Sequence, residues 1–256
     1  MQDEEIDRSK LKSFRDITNI QSRTCYMRTK RNWSTNLPTH YVVKRNNSNE
    51  RDSFPITMPP RPRTPVFHTY SCQRKKSMNI KGKKVLFFFK DGDNILFTAK
   101  FKTTSTFIPI VAGNEVHIKS ENNDAVLLYA NNFCDFSLRK KTSYGPEIMS
   151  IQFRRYNNEE KQPRRLSLFF FDPQDDIPEK LDSVEPYQTD EMTWCVDLNT
   201  EDAITSIKNC RIEDKNHNLF EIVRKKKEDV LEVEARDTID KICLFTTAIA
   251  SFLCKR

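Results

Sequence analysis

The sequence predicts a mostly β fold: a closed antiparallel β-barrel surrounding a buried hydrophobic C-terminal α-helix. Three observations predict it. From Thr64 onward, short runs rich in Phe, Val, Ile, Leu and Thr recur between turn residues. Several of these runs alternate, with Met149, Ile151 and Phe153 on one face and Ile148, Ser150 and Gln152 on the other. Residues 239–253 then form a helical stretch that is apolar or small on every face after Lys241. Such a helix needs cover on all sides, and a sheet closed around it supplies that cover while removing its own edges.

In chain order, residues 1–62 read as a disordered basic N-terminal arm. They lack apolar periodicity, and Asn46-Asn47-Ser48-Asn49 and Met58-Pro59-Pro60-Arg61-Pro62 are loop chemistry. Residues 63–256 read as one barrel domain. Its expected strands are 66–73, 85–89, 95–101, 106–111, 115–119, 125–130, 133–138, 148–153, 166–171, 193–198, 207–212, 219–223 and 230–233. Residues 89–94 join two of them as a hairpin, with Gly92 free to take positive φ. For the last helix, Asp237 and Thr238 are the expected N-cap residues, with Asp240 suiting its positive end. Phe245, Ile249 and Phe252 are expected to fill the lumen, and Ala248, Ala250 and Ser251 to let strands approach. A membrane anchor is the alternative reading of the uninterrupted apolar run 242–254. At 13 residues, punctuated by Thr246, Thr247 and Ser251, the run falls short of the roughly 20 a span needs.

Composition narrows the function. The 256 residues are 37% hydrophobic and 31% charged, with a net charge of +7 from 43 basic and 36 acidic side chains. That excess suits an anionic partner: nucleic acid, acidic protein or phospholipid surface. Only 4 glycines are present, which argues against phosphate-cradling loops. The 7 cysteines, at 25, 72, 134, 195, 210, 243 and 254, show no C-x-x-C spacing, so neither a zinc cage nor a redox motif is expected. No signal peptide opens the chain, and reduced thiols in a cytoplasmic or nuclear protein are expected. The Asn32 and Asn46 sequons are then chance matches.

Several pieces of sequence resemble one family. Ala248-Ile249-Ala250-Ser251-Phe252 resembles the terminal helix signature Ala-Phe-Ala-Ile-x-x-Ser-Ser-Phe of the tubby C-terminal domain. Ser206-Ile207-Lys208-Asn209 is similar to that family's Ser-Val-Lys-Asn element, and Pro163-Arg164-Arg165-Leu166-Ser167 to its Gly-Pro-Arg-Lys-Met-Ser turn. Cys72-Gln73-Arg74-Lys75 sits where its first strand carries a Cys-Arg-type segment. The resemblance spans roughly Arg63 to Arg256, as a divergent member. Gln162 stands where the family has glycine, Cys210 replaces an aromatic, and residues 198–203 lack Gly-Arg-Val.

The resemblance implies a barrel threaded by a helix and a Lys-x-Arg pair on an early strand that holds a phosphoinositide headgroup, typically phosphatidylinositol 4,5-bisphosphate. Lys100 and Lys102 align with that pair, and Lys119 is the candidate for the family's third basic position. Alternation places Lys100 and Lys102 on one face, about 7 Å apart, with Phe101 turned inward. Lysine in place of arginine loses the bidentate fork. The resemblance further implies an adaptor. Its barrel holds lipid while the N-terminal segment, here 1–62, recruits a protein partner. Some members link membrane receptors to ciliary trafficking, and some move to the nucleus. No cofactor and no metal are implied.

Charge is distributed in blocks. Residues 61–84 carry Arg61, Arg63, Arg74, Lys75, Lys76, Lys81, Lys83 and Lys84 with no acid, and 139–165 are also basic. Residues 172–202 carry 11 acidic side chains and one basic, Lys180, and the Asp175-Asp176 pair reads as part of an acidic loop. Nucleic acid bound through the 61–84 and 139–165 segments is the competing partner, although no RNP-type motif is present. Catalysis is not expected. His40, His68, His117 and His217 are scattered, and no nucleophile elbow or catalytic spacing occurs.

Overall fold

The computed structural model describes residues 65–79, 82–115, 123–154, 162–175, 177–200 and 202–254. The 1–62 arm, Lys119, His117 and all but the first residue of the expected 115–119 strand lie outside the described residues. Among the described residues, fourteen strands precede one helix. They are β1 (Phe67–Asn79), β2 (Gly82–Asp91), β3 (Asn94–Lys102), β4 (Phe107–Ala112), β5 (Ala125–Ala130), β6 (Asp135–Lys140), β7 (Glu147–Phe153), β8 (Leu166–Phe170), β9 (Glu179–Ser183), β10 (Tyr187–Gln188), β11 (Trp194–Cys195), β12 (Cys210–Glu213), β13 (Leu219–Lys227) and β14 (Val230–Arg236). The helix α1 spans Lys241–Leu253.

Twelve strands close into one barrel in the order β1-β14-β13-β12-β9-β8-β7-β6-β5-β4-β3-β2, and β10 pairs with β11 as a separate ribbon. Every pairing is antiparallel, so strands alternate in direction around the wall. The mostly β, closed-barrel class read from the sequence is the one observed. The wall has two ends, an amino end where α1 begins and a carboxyl end where it finishes. Lys241 lies over Tyr70 at the first, and Phe252 meets Phe87 and Arg74 at the second.

Alternation builds the core. Tyr70, Cys72, Phe87, Phe89, Ala99, Phe101, Leu127, Leu138, Met149, Ile151, Leu168, Val223 and Val233 face inward around α1. Phe88, between two inward phenylalanines, lies on the outer face under the Lys75 ammonium, 5.1 Å from its ring centre. Within α1, every residue from Ile242 to Phe252 is buried. Phe245 and Ile249 are both 0% exposed. Phe245 stacks on Phe89 at 5.4 Å and Phe97 at 6.2 Å. The helix therefore fills the lumen, and no described helix is long and apolar enough to cross a membrane. Its internal hydroxyls turn back on their own backbone, Thr246 donating to the Ile242 carbonyl at 2.8 Å and Thr247 to that of Cys243 at 3.2 Å.

Four expectations need correction. The N-cap is Asp240, whose carboxylate accepts from the Ile242 N–H at 3.0 Å; Asp237 and Thr238 precede it. Between 171 and 193, where no strand is expected, β9 closes the wall between β8 and β12, and Tyr187–Gln188 pairs as β10 with β11. β9 offers only Leu181 as a large buried apolar side chain, so its composition hides it and pairing on both edges makes it a strand. The expected 193–198 strand shrinks to Trp194–Cys195. The 207–212 strand starts at Cys210, because Asn209 closes a turn onto the Ser206 carbonyl at 3.1 Å.

Candidate anion-binding site

Strands β1, β2 and β3 carry no carboxylate except Asp91, at the amino end. Their register lines up two outward rows near the carboxyl end. Ser77, Lys84 and Lys102 are opposite one another in one row, and Lys75, Leu86 and Lys100 in the next. Four lysines thus surround Leu86. Lys75 and Lys102 are exposed, and Lys84 and Lys100 half-buried. Phe101 is buried inside the wall, as alternation requires. Paired strands lie about 4.8 Å apart, so Lys84 and Lys102 bring like charges directly opposite, an arrangement that destabilises a bare sheet.

Lys100 records that crowding. Partial burial, then the Lys84 and Lys102 charges and contact with the Lys84 side chain, hold its ammonium below the ordinary lysine range. The structure thus brings two of the predicted residues, Lys100 and Lys102, to one outer face, while Lys119 lies outside the described residues. The sequence pointed to neither Lys84 nor Lys75 as a site residue. Both belong to the basic 61–84 run, and only strand pairing carries them to the β3 pair.

The basic 139–165 segment behaves differently. Arg139 sits at the amino end, donating to the Gly145 carbonyl and pairing with Glu147 at 3.8 Å. Arg164 and Arg165 lie at the carboxyl end, Arg165 pairing with Glu185 at 2.6 Å. The described part of this segment therefore forms no strip continuous with residues 75–84.

A second basic group surrounds the end of α1. Arg164 donates to the Ser251 carbonyl at 3.2 Å, and Lys208 to those of Ser251 and Phe252 at 3.3 and 3.4 Å. These contacts satisfy carbonyls left without helical partners and place positive charge at the negative helix end. Arg74 lies over the Phe252 ring at 4.8 Å and pairs with Asp229 at 2.6 Å. Burial, followed by the Arg164, Arg74 and Lys225 charges, pulls the Lys208 ammonium down to about 8. Asn209 locks the same corner. Its amide donates to the Ile204 carbonyl at 3.0 Å and its oxygen accepts the Lys225 N–H at 2.8 Å.

No group of three or more potential metal ligands occurs among the described residues, and the described cysteines are free thiols. No protein-family model matches the chain, and no curated protein matches it.

Proposed function

We propose that this chain is a divergent tubby-like protein, a non-enzymatic adaptor whose barrel tethers reversibly to membranes by holding a phosphoinositide headgroup. The observation that carries this reading is the lysine cluster on β1–β3, where Lys84 opposes Lys102 beside Lys100. These strands carry no carboxylate but Asp91 at the amino end, and Glu228 and Asp229 in the neighbouring β13–β14 turn pair with Lys76 and Arg74. An anion carrying several phosphates neutralises the repulsion that the bare cluster sustains. A further support is that the four pieces of sequence resembling the tubby domain meet at one place. Arg74, Arg164, Lys208 and Phe252 all gather at the end of α1. In this reading residues 1–62 recruit a protein cargo. The molecule works at the cytoplasmic face of the plasma or ciliary membrane and enters the nucleus when the lipid is hydrolysed.

Lys100→Ala with Lys102→Ala tests the site. Each lysine near an anionic leaflet contributes about 1 kcal/mol. The double variant is expected to weaken sedimentation with bisphosphate-containing vesicles by about thirtyfold with unchanged thermal unfolding. Lys84→Ala is expected to produce a smaller loss of the same kind. Undiminished binding of the double variant sinks the assignment. Competition decides between lipid and nucleic acid: soluble inositol phosphates, rather than single-stranded RNA at the same salt, are expected to displace the protein.

A further inference from the structure

The two ends of the barrel differ in charge. The loops at the amino end carry acid, with Asp91 and Asp93 flanking Gly92, Asp124 before β5, Asp172 and Asp175 after β8, Asp214 after β12, and Asp237 and Asp240 before α1. At the carboxyl end stand Lys75, Lys84, Lys100 and Lys102 on the wall, and Arg74, Arg164 and Lys208 around the helix terminus. Among the acids described there, Glu185, Glu228 and Asp229 are each paired with a cation, respectively Arg165, Lys76 and Arg74. Two loops at this end, 103–106 and 131–134, contain no charged residue, and Thr103, Thr104, Asn131 and Asn132 are exposed.

These loops are stiffened from below. Phe133 stacks on Tyr129 at 4.6 Å, and both meet Phe101 edge-on, at 5.7 and 5.9 Å. The Tyr129 hydroxyl donates to the Ser105 carbonyl, tying one loop to the other. Phe101 is buried on the inner face between the outward Lys100 and Lys102, so this partly buried aromatic group closes the lumen on the inner side of the strand whose outer side carries the lysines. A neutral tip over an amphipathic aromatic pair, rimmed by cations, matches the headgroup layer of an anionic bilayer, where aromatic rings and lysines partition together.

We propose that the domain docks end-on, its carboxyl end facing an anionic lipid bilayer and loops 103–106 and 131–134 lying in the headgroup layer. This deepens the phosphoinositide reading above and rests on it for the anchoring headgroup. The acidic amino end, repelled by the same surface, then faces away, so the field of the molecule selects one orientation.

Two charge-matched pairs of substitutions test the geometry. Thr104→Asp with Asn132→Asp places acid on the docking tip, and aspartate tolerates the positive φ of 57° at position 132. Thr142→Asp with Asn216→Asp adds the same charge to exposed loops at the amino end. Both variants are measured with the full chain against phosphatidylcholine vesicles doped either with phosphatidylinositol 4,5-bisphosphate or with phosphatidylserine. The tip pair is expected to weaken binding by about tenfold or more, and the amino-end pair by less than about twofold. Equal losses overturn the orientation while leaving the headgroup site standing. Binding to phosphatidylserine vesicles alone, with the difference between the pairs preserved, overturns the headgroup reading and supports the orientation. A wild-type chain that ignores both vesicles overturns both.

Discussion

Glu221 lies on the inner face of β13, opposite Ala235, with its Oε1 buried and unpartnered. Burial pushes its carboxyl up to about 8, against a smaller lowering by the Thr247 hydroxyl. At neutral pH the side chain is therefore a neutral acid. It meets the Thr247 hydroxyl, which donates to the Cys243 carbonyl at 3.2 Å. In the unfolded chain the same carboxyl ionises near the ordinary glutamate value of 4.5. The fold holds a proton that the unfolded state has lost, so stability falls as pH rises between those values. The stabilisation is complete below pH 4.5 and lost as pH passes about 8. Glu221→Gln keeps a neutral polar side chain of the same shape beside Thr247 and removes the titration. Urea unfolding of both proteins at pH 5, 7 and 9 checks this. The variant is expected to gain on the wild type as pH rises, and parallel pH profiles would disprove the assignment.

At the scale of elements, α1 shows what a sequence discloses most readily. A helix apolar all round has one physical solution, and the lumen roles of Phe245, Ile249 and Phe252 follow from it. Its start was less legible, because Asp237, Thr238 and Asp240 are all chemically fit to cap. The tertiary course of the chain after β14 selects Asp240. Asp240→Ala is expected to cost about 1 kcal/mol. Phe245→Ala, which empties the space between Phe89 and Phe97, is expected to cost about 3–5 kcal/mol. Chemical denaturation ranks the two, and a capping loss equal to the cavity loss would contradict the buried helix. The β2–β3 hairpin shows the opposite case. Its turn was legible, since Gly92 takes φ 57° in the two-residue connection between Asp91 and Asn94. Counting back from that turn without interruption sets Lys84 opposite the inward Phe101, on the wrong face. A bulge between Phe89 and Lys90 shifts the register by one and brings Lys84 opposite Lys102. No residue near Phe89 announces that bulge, which is why the lysine pair was foreseen and its cross-strand partner was not.

Across the whole molecule, the barrel and the helix depend on each other. The wall is continuous only because β1 pairs with both β2 and β14, joining the start of the described chain to its last strand. The inner side chains of that wall find their partners on α1. Ile242, Leu244, Phe245, Ile249 and Phe252 are all buried there. At about 1.5–3 kcal/mol for each large apolar side chain, these five contribute roughly 8–15 kcal/mol. That equals the net stability of an ordinary domain, about 5–15 kcal/mol. Removing the helix also strips Arg164 and Lys208 of the carbonyls they donate to and exposes Phe87 and Phe89 to a hollow lumen. A chain ending at Thr238 is therefore expected to lose cooperative thermal unfolding and to be digested throughout residues 65–238 under limited proteolysis. The intact chain is expected to keep a resistant core over that range. A truncated protein that retains a sharp melting transition and a protected barrel would show that the strands close without their plug, and the interdependence of wall and helix would fall with it.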